Sequence, residues 1–269
     1  MEVSYCIPQN DVLKKYIECY YFFKAGKESG PINYRTFPNN FCILSVNLNS
    51  SSSLVDNKIM VVPSKDQSVS SSLVCRYIKP IEISIVPPIN EITIYFKPLG
   101  LNHFADDLPA FLKQKNNYEF SPFPDFKEAM KILFNEDAVP KQAALLEKYW
   151  ISKLNNKDFT LLYSILSDIN EGIPVESIAR KHNYTRQYIL KLFQTHTGKT
   201  LTEYKKIQRF KNMLRKKGKD THLTGLAYSN DYYDQSHFIR DFKGLTNLKP
   251  TTFFKNVDVE KPSIWHFIG

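Results

Sequence analysis

Two groups of residues have side chains suited to the edges of nucleic-acid bases: Arg186, Gln187 and Lys191 in one, Gln235, Ser236 and Arg240 in the other. Arginine and lysine donate to guanine O6 and N7, glutamine pairs with adenine N6 and N7, and each good pair discriminates between bases by roughly 1 to 3 kcal/mol. Beside them stand Thr185, Lys205, Lys206 and Lys243, types that hold phosphate oxygens and so position a protein without reading sequence. Bond-making chemistry finds little support. His103 lies near Asp106 and Asp107, but no second histidine or glutamate stands at ligand spacing, and HExxH, phosphate-loop and nucleophile-elbow patterns are missing. The expectation is no catalytic residue, no metal and no cofactor, with His103 at a surface helix cap.

These side chains need helices to present them. Ala179-x4-Tyr184-x8-Phe193-x4-Gly198-x5-Tyr204 aligns with Ala227-x4-Tyr232-x9-Phe242-x4-Asn247-x5-Phe253, so one unit is used twice. In each copy a short helix ends at a turn where Asn183 or Asp231 can take the left-handed conformation, as in a helix-turn-helix. Thr185 and Asp234 stand at N-cap positions, and the helices that follow read TRQYILKLFQTH and DQSHFIRDFK. Ile189, Leu192 and Phe193 form the apolar stripe of the first; Phe238, Ile239 and Phe242 form that of the second. The six base-reading candidates fall on the opposite faces.

Charge follows the same division. Of the net charge of +9, residues 1–159 carry +1 and residues 160–269 carry +8. Between 175 and 219 thirteen basic residues face only Glu176 and Glu203, a pattern suited to a polyanion. From 172 to 255 the chain resembles the AraC/XylS family of bacterial transcription regulators. The first motif is carried by Ala179, Tyr184, Phe193, Thr197-Gly198, Tyr204 and Arg209. The second is carried by Leu226-Ala227, Tyr232, Asp234-Gln235-Ser236, Phe238, Phe242-Lys243, Thr246, Pro250 and Phe253. Asp231 and Asn247 stand where that family has glycine, and Met213 where it has a small residue in the connecting helix.

The resemblance implies an all-α domain of two helix-turn-helix units joined by a long helix over 202–217. Both reading helices would then enter successive major grooves, about 34 Å apart on one face of promoter DNA. Such a helix spans about 24 Å at 1.5 Å per residue. Lys205, Lys206, Arg209, Lys211, Arg215, Lys216, Lys217 and Lys219 would serve phosphates and packing.

The first hundred residues read as strand and turn: 41–48, 60–63, 81–86 and 91–96, with Ser50–Ser53 and Ser70–Ser72 as exposed loops. Helical patterns follow over 101–115, 125–134 and 140–154, the last suited either to dimerisation or to packing on its own domain. The expected class is α+β with two domains. A β-rich, cupin-like barrel or sandwich with helices spans 1–157, the double helix-turn-helix domain spans 158–258, and a tail spans 259–269. Such an N-terminal domain suits sensing or dimerisation. Its aromatics Tyr5, Tyr16, Tyr20, Tyr21, Phe22, Phe23, Phe37, Phe41, Tyr95 and Phe96 are read first as core and second as the lining of a ligand cavity.

Composition limits the remainder. With 42% hydrophobic and 14% aromatic residues the 269-residue chain is globular, and no apolar run approaches the roughly 20 residues of a membrane helix. The opening MEVSYCIPQND lacks the pattern of a secretory signal, so a cytoplasmic location with reduced cysteines is expected. Cys6, Cys19, Cys42 and Cys75, without CxxC spacing, are read as buried thiols. The reading is a DNA-binding transcription regulator. RNA polymerase, a small-molecule effector and a second copy of the chain are its further candidate partners. The alternative is a small-molecule-binding or cupin-type enzymatic module whose helical half serves interactions.

Overall fold

The computed structural model describes residues 1–66, 68–114, 118–155, 157–217, 235–257 and 265–268, excepting the side chains of Lys216, Lys217 and Gln235. The strands are β1 (Glu2–Cys6), β2 (Ile17–Ala25), β3 (Ile32–Thr36), β4 (Cys42–Leu48), β5 (Ser50–Val55), β6 (Lys58–Pro63), β7 (Val69–Val74), β8 (Ile81–Ile85), β9 (Ile89–Phe96) and β10 (Trp265–Phe267). They form two five-stranded sheets among the described residues, in the orders β1-β2-β9-β4-β7 and β10-β3-β8-β6-β5. All pairings are antiparallel except β6 with β8.

The first sheet is buried on both faces, which is why β2, β4 and β9 read as long apolar runs rather than as alternations. Tyr20, Phe22, Leu44, Val46, Ile92, Ile94 and Phe96 point to one core, against α1 (Leu108–Lys113), α2 (Phe126–Phe134) and α3 (Val139–Ser152). Their neighbours Tyr21, Phe23, Ile43, Ser45, Asn47, Glu91, Thr93 and Tyr95 face the second sheet. The period of two assigns successive residues to opposite faces. In α3, fully buried Trp150 meets Phe96 at 4.9 Å and Phe104 at 5.2 Å between ring centroids, so this helix packs on its own domain.

Several local expectations are overturned. The serines of 50–53 and 70–72 lie in β5 and β7, and Ser50, Ser71 and Ser72 are buried. Hydrogen bonds explain the place of two of them: Ser70 Oγ donates to Ser50 O at 2.6 Å and Ser71 Oγ to Phe120 O at 2.7 Å. A small hydroxyl can enter a sheet when it finds an acceptor, so serine clustering alone does not mark a loop. The helical pattern over 101–115 splits into a 3-10 turn (Gly100–His103) and α1, with Pro109 inside the first turn of α1. Gly100 is required there, since a Cβ would lie 2.2 Å from the Tyr16 carbonyl oxygen. His103 is not a surface cap: its ring is buried, 4.3 Å from Tyr16 and stacked at 5.7 Å on Tyr163, whose hydroxyl lies 3.1 Å from Nε2. The residues at the C-terminal end add strand β10 to β3, pairing Trp265 with Thr36.

The helical half comprises α4 (Thr160–Asn170), α5 (Val175–Lys181), α6 (Arg186–Thr197), α7 (Leu201–Lys217), α8 (Gln235–Thr246) and α9 (Pro250–Asn256). Ile189 and Phe193 lie in one core with Leu162, Ile165, Ile178 and Tyr204. Phe238 and Phe242 lie in a second with Phe210, Met213 and Phe253. Met213, the departure in the connecting helix, is fully buried and fills space in this second core. Helix α7 supplies both cores, which explains its mixed pattern of apolar residues and cations.

Both helical cores reach the β-rich half. Leu99 enters the first core and Phe37 the second, where its ring meets Phe253 at 4.9 Å. Asn40 Nδ2 donates to the Tyr204 carbonyl at 3.2 Å, and Lys199, itself buried, donates to the Cys75 carbonyl. Cys19, Cys42 and Cys75 are buried and Cys6 half-buried, all as free thiols.

Candidate nucleic-acid interface

The first reading helix is built as its sequence requires. Asn183 has φ 58°, and the Tyr184 amide donates back to the Ala179 carbonyl at 2.9 Å, which closes the turn after α5. Thr185 then caps α6: its hydroxyl accepts from the Tyr188 amide at 3.2 Å. Such a cap satisfies a donor that the first turn leaves open and stabilises a helix by about 1 kcal/mol. Gly198, φ 72°, ends the helix at its other terminus.

Arg186, Gln187 and Lys191 are exposed on α6, opposite buried Ile189 and Phe193. Arg186 Nε lies 2.9 Å from Glu176 Oε1, with both side chains more than half exposed. That geometry ties the start of α6 to α5 and leaves the pair open to exchange, because exposed ion pairs hold weakly. Two residues that the sequence reading left out of the site stand in the same place. Tyr184 and Tyr188 are exposed at 44% and 43% and stack on each other, rings 4.5 Å apart and 21° from parallel. Only the exposure of such large rings distinguishes them from core aromatics, and that is not visible in composition or spacing.

On α8, Ser236, Arg240 and Lys243 are exposed, opposite buried Phe238 and Phe242. Helix α8 starts at Gln235, whose side chain lies outside the described residues, as do Leu226, Ala227, Asp231, Tyr232, Asp234 and Lys219. At its C-terminal end Asn247 has φ 56°, so asparagine fills the position where glycine is usual. The Thr246 hydroxyl donates to the Phe242 carbonyl at 2.8 Å and accepts from the Leu248 amide at 3.1 Å. Thr197 repeats the pattern at the end of α6, donating to Phe193 O at 2.8 Å and accepting from Lys199 N at 3.3 Å. The two units therefore share their helix ends down to the hydroxyl.

The basic residues of α7 divide into different tasks. Asp241, on α8, gathers Lys206 Nζ at 3.2 Å, Arg209 at 3.5 Å and His237 Nε2 at 3.5 Å. Lys206 and Arg209 thus link α7 to α8. Lys205 is half-buried. Lys211 is turned inward, its ammonium 3.7 Å from the centre of the Phe41 ring, and burial pushes its pKa down to about 8. Arg215 is exposed. At the C-terminal end of α5, Lys181 Nζ and the capping His182 Nε2 meet buried Asp168 at 2.7 and 3.2 Å, and chiefly the Lys181 hydrogen bond holds that carboxyl below its ordinary range.

No group of three or more metal-ligating side chains occurs among the described residues, and no helix there is long and apolar enough to cross a membrane.

A helix-turn-helix domain family model matches residues 178–256. The probable transcription factor PqrA of Proteus vulgaris is 31% identical over 88 residues, which cover 32% of this chain and 72% of that protein. Solved structures of ToxT from Vibrio cholerae are also similar. One is 11% identical with a TM-score of 0.44 and covers 88% of this chain and 97% of that one. Another, with bound unsaturated fatty acid, is 13% identical with a TM-score of 0.42 and covers 87% and 92%. With the repeated unit, its positive-φ turn and helix ends, and this kinship to a transcription factor on the page, the chain belongs to the AraC/XylS family of DNA-binding transcription regulators.

Proposed function

We propose that residues 158–258 read a specific promoter sequence through Arg186, Gln187 and Lys191 of the first unit and Gln235, Ser236 and Arg240 of the second. Thr185, Lys205 and Lys243 meet phosphates of the DNA backbone, as does Lys206 by exchanging Asp241 for one, and residues 1–157 sense a small molecule, dimerise, or both. The observation that carries this reading is the exposure of Arg186, Gln187, Lys191, Ser236 and Arg240 on two helices whose opposite faces are buried in cores that α7 connects. Helix α7 has 17 residues, about 25 Å at 1.5 Å per residue, a separation of the order of one DNA turn. Tyr184 and Tyr188 add an apolar, π-faced surface beside Arg186, suited to a thymine methyl or a deoxyribose. The protein acts by binding rather than catalysis, in the cytoplasm, with RNA polymerase as the machinery it recruits or obstructs.

Selection of bound sequences from random duplex DNA with the purified chain tests this. The expected result is a site with two contact blocks about one helical turn apart. Arg186→Ala and Arg240→Ala should each lose preference at particular bases, whereas Lys243→Ala should weaken all sequences alike and lower the salt slope by about one. Binding without enrichment, governed wholly by salt, would overturn sequence-specific regulation by this chain.

A further inference from the structure

The two sheets line a cavity that offers about 60 Å³ to the centres of bound atoms. Its floor is unusual for a sandwich interior. Along β4 and β9 the inward positions are Ser45, Asn47, Glu91 and Thr93, and the register sets Asn47 opposite Glu91 and Ser45 opposite Thr93. Thr93 Oγ1 donates to Glu91 Oε1 at 2.5 Å, which leaves Ser45 to donate to Thr93 at 3.2 Å. Two hydroxyls are therefore spent in orienting one carboxylate. Asn47 is 1% exposed, and its Oδ1 has no hydrogen-bond partner.

A carboxylate inside a protein is costly unless a cation meets it. None does here: Glu91 forms no ion pair among the described residues, and no lysine, arginine or histidine lines the cavity. Burial accordingly raises its pKa, with the neighbouring Thr93 and Ser45 hydroxyls opposing. Beside this acceptor pair on the same sheet stand Tyr21 and Tyr95, and across from it on the other stand Tyr34 and Trp265. Tyr21 lies 5.3 Å from Tyr95 and 5.4 Å from Trp265, and Tyr34 of the opposite sheet lies 5.0 Å from Trp265. Burial, with the Glu91 carboxylate as the second cause, pushes the pKa of the Tyr34 hydroxyl up. Aromatic faces attract cations, and a carboxylate with an open amide oxygen accepts the N–H groups of one.

We propose that this cavity binds a small organic cation, an amine or quaternary ammonium with an apolar body, its charge at Glu91 and its body against Tyr34, Tyr95 and Trp265. An acidic ligand would meet one carboxylate and no cation, and is excluded from this space. The inference rests on the reading of residues 1–157 as a sensing domain. The ligand would also bear on the sheet edge, since Trp265 stands on β10, which pairs with β3.

The test uses the full chain without DNA. Tryptophan fluorescence and calorimetry follow titration with phenethylamine and benzyltrimethylammonium, against 2-phenylethanol, 3-phenylpropionate, and sodium or calcium chloride at matched ionic strength. Both cations should bind at least tenfold more tightly than the neutral and anionic compounds. Glu91→Gln should weaken cation binding at least tenfold while the unliganded variant melts no lower than the parent, since a half-buried charge that no cation meets is removed. Should that variant fail to fold, Trp265→Ala at the half-buried rim supplies the readout, with an expected three- to tenfold loss by calorimetry. Absence of cation binding, equal binding of the alcohol or the acid, a response to the salts alone, or affinity unchanged in both variants would overturn the proposal. Affinity for selected DNA is measured separately, so a chain that binds cations but not DNA sinks the regulatory reading and leaves this one standing.

Discussion

Asn102 and His196 hold each other by two hydrogen bonds across the two halves of the chain. Asn102 Nδ2 donates to the His196 carbonyl at 3.0 Å, and His196 Nδ1 donates to Asn102 Oδ1 at 3.0 Å. Because Oδ1 can only accept, the proton is assigned to Nδ1 of the imidazole. His196 lies in the last turn of α6, the helix that begins with Arg186, so the β-rich half takes hold of the first reading helix at the end away from its base-reading residues. Lys199 on the Cys75 carbonyl and Phe159 beside the His196 ring, 5.7 Å away, reinforce the same junction.

Asn102→Ala should therefore loosen the junction as well as lower stability. Asn102 is 3% exposed, and its loss leaves a half-buried donor and acceptor without their partner, at a cost of about 1 to 3 kcal/mol. Urea unfolding should show that loss. A cycle with His196→Ala should show the two substitutions to be non-additive. Additive effects would mean that the pair is not coupled.

Stability should fall as the medium is acidified through the histidine range. Burial, with the charge of Lys157 as the second cause, lowers the pKa of both His103 and His196. A histidine whose folded pKa lies below its unfolded value near 6.5 binds more protons when unfolded, so its contribution is complete above about pH 6.5 and is lost as pH falls through the folded value. Glu91, raised by burial, has the opposite sign, with stability lost as pH rises through its folded value. The comparison to make is parent against His196→Gln at pH 7.5 and 5.5, in which the variant's loss on acidification should be the smaller. An equal loss would remove His196 from the account.

Gly198 and Gly172 should respond differently to alanine. Both have positive φ, at 72° and 83°, which costs a residue with a Cβ about 1 to 2 kcal/mol. At Gly172 an added Cβ meets nothing within 4 Å, whereas at Gly198 it would lie 2.8 Å from Arg76 Cγ and 3.0 Å from Leu112 Cδ2. Gly198→Ala should thus be the more destabilising of the two and should disturb the junction of α6 with α1. Thermal melts of the two variants check the order, and equality would show that Arg76 yields without cost.

Asp241→Asn should destabilise the second unit and raise its affinity for any duplex. The carboxylate, on a side chain 12% exposed, meets Lys206 and Arg209; removing its charge leaves the half-buried Lys206 ammonium open to phosphate. The expected outcome is a melting temperature lower by several degrees, with a steeper dependence of DNA affinity on salt. Unchanged slopes would show that these two cations stay turned toward α8.

What the residues determine alone is local and periodic. The repeat about Ala179 and Ala227, the Thr185 cap, the Asn183 turn, the buried stripe of α6 and the span of α7 all follow from spacing that neighbours along the chain enforce, and the helical half was legible for that reason. The β-rich half was legible only in part. Strands β4, β6, β8 and β9 stand out as apolar runs, but the serine strands β5 and β7 do not, since hydroxyls that find acceptors in a distant segment look like loop residues in the chain. His103 belongs to the same class: its short-range neighbours are acids, and its burial comes from Tyr163, sixty residues on. Tertiary structure alone decided the cavity, because Glu91 and Asn47 become one floor through the β4–β9 register, and Trp265 joins them from the far end of the chain. It also decided which cations stay free. Lys191 and Lys206 are the same residue type on neighbouring helices, and only the packing of α8 gives one of them a buried carboxylate and leaves the other exposed.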